Sequence, residues 1–301
     1  MSQYDEDAIA KFQRSGKILR ETREAIKEFV HEGMLIIDVC EKAEGMIREK
    51  GGEPAFPCNV SINEIAAHYT SPPNDKSTIP GNSLVKVDIG VHVDGYVTDT
   101  AITVCLNPEY KNLVNAAQDA LEKALESIRP DVSTSKLGTI IERAIKAYGL
   151  KPISNLTGHQ VGRYLVHTGT SIPNVPQLFA SRIKQGSIYA IEPFVTLQDA
   201  VGKVEDGETT TIYRYVKSRS LASSHAKQLL KYIEENFRTL PFAERWLKGV
   251  IPAENHNEAF RELISSKALT GYPIFVEASR KPVAQAEHTV LVVKDGCVVL
   301  T

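Results

Sequence analysis

Residues 83–106 read SLVKVDIGVHVDGYVTDTAITVCL, two runs of alternating apolar residues on either side of an Asp-Gly pair. An Asp-Gly pair between two such runs is a strong short-range signal for a β-hairpin with a two-residue turn. In that register Asp88 lies opposite Ala101, and Asp99 becomes its diagonal neighbour on the same face. The segment therefore predicts two carboxylates side by side on one face of an apolar hairpin.

Two carboxylates among apolar neighbours repel each other and lose hydration, which costs free energy. A cation between Asp88 and Asp99 would relieve both costs. Alternatively the face is solvated, and a register change of one residue would move one set of side chains to the other face. The hairpin alone leaves these alternatives open.

The remaining pattern mixes helices with strands without regular βαβ alternation, which is typical of an α+β protein. Amphipathic periods and capping residues predict helices over residues 5–31, 39–48, 107–128 and 133–149. Two further strands are predicted over residues 187–196 and 284–293. Between them lies a strongly helical block that holds the single tryptophan. We interpret residues 1–301 as one catalytic domain, interrupted by a helical insertion at approximately 219–272.

The composition excludes several classes of protein. Lys plus Arg is 35 and Asp plus Glu is 37, a formal charge of −2, which disfavours binding to nucleic acid through a broad basic surface. The acidic start does not resemble a signal peptide, and no stretch approaches the ~20 apolar residues of a membrane span. We expect a cytoplasmic protein with no membrane partner and no stable nucleic-acid partner. The cysteines form no Cys-x-x-Cys pair, so buried free thiols are expected at Cys40, Cys58, Cys105 and Cys297.

Three more positions carry polar side chains next to apolar segments. His159 follows Thr-Gly, Glu192 lies in YAIEPF, and Glu287 lies in AQAEHTVLVV. A glutamate in a buried strand needs a partner, although each of these residues alone is compatible with an ordinary ion pair or core position. With Asp88 and Asp99 they form a set of one imidazole and four carboxylates, whose charge matches two divalent cations. This donor set suits Mn, Co, Fe or Zn, and such a site can activate water and polarise a carbonyl.

These residues lie in motifs that together resemble methionine aminopeptidases of type 2. The motifs, in chain order, are FPCNVSINEIAAHYT (56–70), VDIG (87–90), TDTA (98–101), TGH (157–159), HTG (167–169), IEP (191–193) and AQAEHT (284–289). The resemblance extends from about residue 5 to the C-terminus and implies the pseudo-symmetric pita-bread fold. The helical insertion is a mark of type 2, and the chain resembles the short archaeal forms, which have no long charged N-terminal extension.

The resemblance implies a dinuclear metal site. Asp88 would chelate one ion, Asp99 and Glu287 would bridge the pair, and His159 and Glu192 would complete the second ion. Glu192 would also move a proton during the reaction.

The same resemblance implies substrate-facing residues. His68 would lie near the scissile bond, where family members are alkylated by fumagillin-type epoxides, and His167 would bind the peptide. Phe56 and Tyr272 match positions that line the methionine side-chain pocket. The chain departs from the family pattern at Ala286, where many members carry an aromatic residue, and at Cys58, where threonine is frequent. We expect both departures to reshape the pocket without changing the metal ligands.

The implied activity is removal of the initiator methionine from nascent polypeptides when the second residue is small. The N-terminal methionine is then the binding partner, a transient ribosome contact is compatible with this role, and we expect a monomer. One alternative is a proline-specific peptidase of the same fold, but such enzymes carry an additional N-terminal domain for which residues 1–50 leave no room. The other is a non-catalytic relative associated with ribosomes or RNA, a class that has lost metal ligands.

Overall fold

A computed structural model describes residues 4–301 of the chain. The six helices of this part of the chain are α1 (Glu6–Phe29), α2 (Ile36–Glu49), α3 (Lys111–Ser127), α4 (Thr134–Ala147), α5 (Ser224–Phe237) and α6 (Ala253–Ser265). Its first eight strands are β1 (Glu53–Ile62), β2 (Ile65–Ala67), β3 (Leu84–Val93), β4 (Tyr96–Cys105), β5 (Lys151–Pro152), β6 (Thr157–Gly162), β7 (Leu165–Pro173) and β8 (Ile188–Ile191). They are followed by β9 (Phe194–Thr196), β10 (Val204–Tyr215), β11 (Phe242–Ala243), β12 (Leu269–Glu277), β13 (Val283–Gln285), β14 (Glu287–Val293) and β15 (Gly296–Val299).

The largest sheet has eight antiparallel strands and joins both halves of the chain. Seven strands follow the order β1-β3-β4-β14-β8-β6-β7, and β15 pairs with β14. A second sheet has the order β11-β10-β12-β2, and a third has the order β13-β9-β5. The halves meet at β14, which pairs with β4 on one side and with β8 on the other.

The hairpin β3–β4 has the register that the sequence predicts. Asp88 pairs with Ala101, and Gly90 pairs with Asp99. The two turn residues have positive φ values, 51° at Asp94 and 87° at Gly95, as a type I′ turn requires. The diagonal placement of the two aspartates is therefore confirmed.

Helices cover this sheet and bury its apolar residues. Side chains of α1 and α2 form one core with β1 and β3, while α3 and α4 form another with β8 and β14. The helix start predicted at Ser133 is confirmed, because Ser133 accepts a hydrogen bond from the Lys136 amide at 3.2 Å. The start predicted at Asn107 is only partly correct: Asn107 accepts a hydrogen bond from the Glu109 amide at 3.0 Å, but α3 itself begins at Lys111. A 3₁₀ turn over Pro108–Tyr110 precedes α3.

The two late strands are interrupted, so their interpretation as continuous segments is wrong. The first breaks after Ile191 into β8 and β9, and the second breaks at Ala286 into β13 and β14. Pro193 has no backbone N–H and cannot continue the ladder. The breaks face each other, since the Ala286 amide donates to the Pro193 carbonyl at 3.3 Å. Glu192 and Glu287 lie beside these breaks.

The span predicted as a helical insertion contains both helices and strands. The helices α5 and α6 enclose a hydrophobic core of their own. However, β11 lies between them, and β12 begins before the span ends. The unpredicted strand β10 pairs with β12 from Val204↔Glu277 to Tyr215↔Leu269, so a sheet anchors the helices to the rest of the chain.

All four thiols are free. Cys40 and Cys58 are buried as expected, but Cys105, the last residue of β4, and Cys297, the second residue of β15, are only half-buried. Among residues 4–301, none of the helices combines the length and the apolar character that crossing a membrane requires.

Candidate metal centre and substrate cavity

All nine site residues predicted from the sequence line one cavity of about 250 Å³. They come from both halves of the chain and from two of the sheets. They are Phe56, His68, Asp88, Asp99, His159, His167, Glu192, Tyr272 and Glu287.

One end of the cavity is a compact cluster of buried donor atoms. Asp99, His159 and Glu287 each offer one ligand atom within 4.8 Å of the others. The His159 Nε2 atom lies 3.4 Å from Asp99 Oδ2 and 3.3 Å from Glu192 Oε1. Asp88 joins the cluster through the diagonal arrangement of the hairpin. The sequence-predicted ligands therefore share one end of the cavity.

The electrostatics of this end favour a bound cation. Burial raises the pKa of Asp99 to about 8, and burial together with the Asp99 carboxylate raises the pKa of Asp88, Glu192 and Glu287 well above the usual range. Burial lowers the pKa of His159 to about 4. Within the described chain, Asp88 Oδ1, Asp99 Oδ1 and Glu287 Oε1 have no hydrogen-bond partner. Buried orphan oxygens beside a neutral imidazole fit a divalent metal.

Two amide side chains that the sequence reasoning missed support this cluster. Asn59 pairs with Asp88 across β1 and β3, and its side chain hydrogen-bonds the Asp88 carboxyl group, which lowers that pKa against the effect of burial. The Gln285 Nε2 atom lies 3.5 Å from Glu192 Oε2 and 3.4 Å from Glu287 Oε2. Both residues stand inside the motifs quoted above, and an amide within an otherwise apolar strand was the available signal.

The other end of the cavity is aromatic and holds His68. Its ring lies 4.5 Å from the Phe275 ring and 5.9 Å from the Tyr272 ring, between centroids. The His68 Nδ1 atom lies 3.3 Å from the Pro273 carbonyl oxygen, which can only accept, so Nδ1 carries the proton and Nε2 presents a lone pair. Burial and the nearby His167 lower the pKa of His68 to about 4. The ring is therefore neutral at pH 7.

The backbone of His68 is strained. Its φ of 68° lies in the left-handed region, which costs a non-glycine residue about 1–3 kcal/mol. Such a conformation persists only when the flanking structure fixes it. Ala67 before it is fixed by pairing with Phe275, where β2 meets β12.

His167 connects the two ends. Its ring centroid lies 4.0 Å from that of His159, while its side chain remains exposed. The apolar wall also includes Ile212, Pro241 and Phe275, which the sequence reasoning missed. Apolar residues in apolar segments usually belong to a core, and no sequence signal distinguishes these three.

The comparison with known families agrees with this geometry. Residues 10–294 match the model of metallopeptidase family M24. The chain belongs to this family. It is 43% identical over 296 residues to a methionine aminopeptidase of Methanothermobacter thermautotrophicus, covering 97% of this chain and 98% of the relative. It is 45% identical over 295 residues to a methionine aminopeptidase of Methanocaldococcus jannaschii, covering 98% and 99%.

Solved structures at lower identity share the fold of this M24 chain. A thermophilic Arx1 superposes with a TM-score of 0.81 at 18% identity, covering 98% of this chain and 91% of that one. A methionine aminopeptidase of Thermotoga maritima gives 0.72 at 20% identity, covering 100% and 99%. A prolidase of Pyrococcus furiosus gives 0.63 at 17% identity, covering 99% and 64%. The predicted pita-bread fold and metallo-aminopeptidase class are confirmed, and the family indicates a divalent-metal site.

The two departures from the family pattern lie behind the M24 cavity. Cys58 is buried, and its backbone amide donates to the Glu44 carboxylate at 3.1 Å. Ala286 packs in the core formed with α3 and α4. Neither side chain belongs to the cavity wall, so any effect on the pocket must pass through their neighbours.

Proposed function

We propose that this chain is a type 2 methionine aminopeptidase that removes N-terminal methionine from polypeptides whose second residue is small. One observation carries the proposal: four carboxylates and an imidazole share a 250 Å³ cavity with an aromatic end. The two archaeal relatives named above are methionine aminopeptidases, and this chain matches them over nearly their whole length, which supports the proposal.

Five residues would hold two divalent ions. Asp88 would bind one ion, Asp99 and Glu287 would bind both, and His159 and Glu192 would bind the other. Two such ions supply Lewis acidity and lower the pKa of water. The four carboxylates would balance the charge of the pair, and Mn, Co, Fe and Zn all accept this donor set.

The protein's own groups orient the substrate and move protons. Neutral His68 presents the Nε2 lone pair to a peptide N–H near the scissile bond, while its Nδ1–H is held by Pro273. His167, which is exposed at the edge of the cavity, forms a hydrogen bond with the peptide. Glu192 carries a proton toward the leaving amine, which is general acid catalysis.

The aromatic end would select the methionine side chain. Phe56, Tyr272, Ile212 and Pro241 line it, and a flexible, polarizable thioether fills an irregular apolar space well. The second residue of the substrate would lie between His68 and His167, where large side chains are crowded. The specificity for a small second residue rests on this crowding.

Metal-stripped protein refilled with one metal at a time tests the proposal. We expect each active form to bind two ions per chain and to hydrolyse Met-Ala-Ser but not Ala-Pro. In a series Met-X-Gly-Ser, alanine at X should give a much higher rate than arginine. Turnover of Ala-Pro would indicate the proline-specific alternative. Equal rates for X = Ala and X = Arg would contradict the proposed specificity for a small second residue.

The remaining expectations stay predictions: a monomer, a cytoplasmic location and at most a transient ribosome contact. Sedimentation in the presence and absence of ribosomes tests the first and the last. A lasting complex with RNA and no peptidase activity would favour the non-catalytic alternative.

A further inference from the structure

A buried ion pair lies outside the cavity and takes no part in the chemistry proposed above. Glu44 belongs to α2, and Arg245 belongs to a 3₁₀ turn over Glu244–Leu247 between α5 and α6. Their side chains are only 3% and 6% exposed, respectively. The pair therefore joins the N-terminal half of the chain to the helical insertion from within.

The Glu44 carboxylate fixes β1 as well as Arg245. It accepts hydrogen bonds from the Cys58 amide at 3.1 Å and from Trp246 Nε1 at 2.7 Å. Cys58 stands between Phe56 and Asn59, which both line the cavity. One carboxylate thus ties the strand behind the cavity to the insertion.

The Arg245 guanidinium fixes the segment that follows His68. It donates to Thr70 Oγ1 at 2.8 Å and to the Ser71 carbonyl at 2.9 Å. Thr70 Oγ1 in turn donates to the Cys58 carbonyl at 2.7 Å. The guanidinium serves these two acceptors from Nη1 and the Glu44 carboxylate from Nη2, whereas an ammonium group has all its donors on one nitrogen atom.

These contacts bear on His68 because its left-handed backbone needs support on both sides. The preceding residue is fixed by β12, as described above. The following residues are fixed by β1, since the Val60 amide donates to the Tyr69 carbonyl at 2.8 Å, and by Arg245 through Thr70 and Ser71.

We propose that Glu44 and Arg245 are positioning residues that hold the His68 imidazole at the cavity. This inference rests on the proposed function, in which His68 faces the scissile bond. Buried ion pairs contribute little net stability, because desolvation offsets their attraction. A role in positioning accounts for an ion pair at this place better than a role in stability.

Two variants and one control test the inference with metal-loaded enzyme and Met-Ala-Ser. Arg245→Lys keeps the positive charge but loses the planar guanidinium with its two terminal nitrogens. The double variant Glu44→Gln/Arg245→Met removes both charges, so that neither remains unpaired. The control is Glu205→Gln/Arg280→Met, which removes an exposed pair whose atoms lie 3.3 Å apart. We expect kcat to fall roughly 10- to 100-fold in both variants, the cost of a displaced group near the reaction. We expect KM to stay within about twofold.

A second measurement does not depend on activity. The ring resonances of His68, assigned with His68→Asn, should shift in both variants and stay unchanged in the control. Unchanged kcat and unchanged resonances with a lower melting temperature would show a merely structural pair and overturn the inference. A raised KM with unchanged kcat would overturn it too, because the pair would then shape the wall near Phe56. If the wild type hydrolyses no Met-Ala-Ser, the proposed function fails while the resonances still test the positioning.

Discussion

The two ends of the cavity are built by different sheets, and each is strained in a different way. One is the end with the proposed metal ligands, here called the donor end, and the other is the aromatic end that holds His68. The donor end comes from the eight-stranded sheet, where β3, β4, β6 and β14 each supply one charged or imidazole side chain. The aromatic end comes largely from the four-stranded sheet, through β10, β12 and the residue after β2. The first end stores the cost of burying carboxylates together with their mutual repulsion, and the second end stores the backbone strain at His68.

This difference separates binding of metal from handling of substrate. A cation would relieve the cost at the donor end, whereas the strained residue of the aromatic end is held by pairing and ring contacts of the protein itself. Damage to the donor end should therefore remove metal and activity together. Damage to the aromatic end should leave metal binding intact and change the rate or KM.

The largest effect is expected from Asp99→Ala and Glu287→Ala. Each removes a carboxylate proposed to bind both ions, so kcat/KM should fall by more than about a thousandfold, beyond the 10²–10³ that the loss of one electrostatic donor costs elsewhere. Metal analysis should show fewer than two ions per chain. The control Glu205→Ala removes an exposed carboxylate of β10 and should change neither quantity. A variant that kept two ions and wild-type turnover would contradict the assignment of its carboxylate.

The donor end could be predicted from the sequence because charged residues in apolar strands are conspicuous. Asp88 and Asp99 were placed by the hairpin turn alone, and the observed register agrees. Glu192 and Glu287 were found in apolar runs, but the strand breaks beside them were missed. Those breaks depend on Pro193 and Ala286 facing each other, a pairing between segments far apart in sequence.

The aromatic end could be predicted only through the family resemblance. Phe275 and Ile212 resemble core residues, and β10 with its polar run EDGETTT gives no clear strand signal. Their position follows from the pairing of β10 with β12 across the whole insertion. The role of Arg245 was equally hidden, because an arginine next to a tryptophan in a helical block usually lies on the surface.

The next largest effect is expected from His68→Asn. Loss of the Nε2 lone pair near the scissile bond should lower kcat about 100-fold, the order found when one preorganised hydrogen-bonding group is removed from a reacting centre. Two ions should remain bound, since His68 is not a proposed ligand.

A chemical modification tests the same residue. Because His68 is neutral at pH 7 and its Nδ1 is hydrogen-bonded to Pro273, a fumagillin-type epoxide should alkylate Nε2. Mass spectrometry that mapped the adduct to His159, His167 or a cysteine would contradict this placement.

A smaller effect concerns the stability of the metal-free protein. The pKa of Asp99 rises from the ordinary 3.8 to about 8 on folding, so between these values the native state binds a proton that the unfolded chain has released. Stability therefore falls as pH rises from about 4 to about 8. After chelation the melting temperature should be several degrees lower at pH 8 than at pH 5.5.

Two comparisons test the origin of this dependence of stability on pH. Asp99→Asn keeps the shape without the charge and should flatten the dependence on pH, whereas Glu205→Gln should not. Divalent metal should also remove the slope in the wild type. A metal-free protein that became more stable toward pH 8 would contradict the raised pKa that burial gives Asp99.

The smallest effect is expected at Gly90, where the two ends of the cavity touch. Gly90 pairs with Asp99 on one side and with Phe56 on the other, and a Cβ placed there would lie 2.2 Å from Phe56 Cε1. Gly90→Ala should therefore push the Phe56 ring into the methionine pocket. Overpacking of this kind costs about 1–3 kcal/mol, so KM for Met-Ala-Ser should rise about tenfold while kcat and the metal content stay near wild type. The second change Phe56→Leu should restore part of the affinity.

Gly45→Ala is the control for Gly90→Ala, because a Cβ at that helical position meets nothing within 4 Å. This control should raise stability by up to about 1 kcal/mol without changing KM. A lower kcat and lost metal with unchanged KM would mean that the strain passes to Asp99 and that Phe56 does not form the pocket.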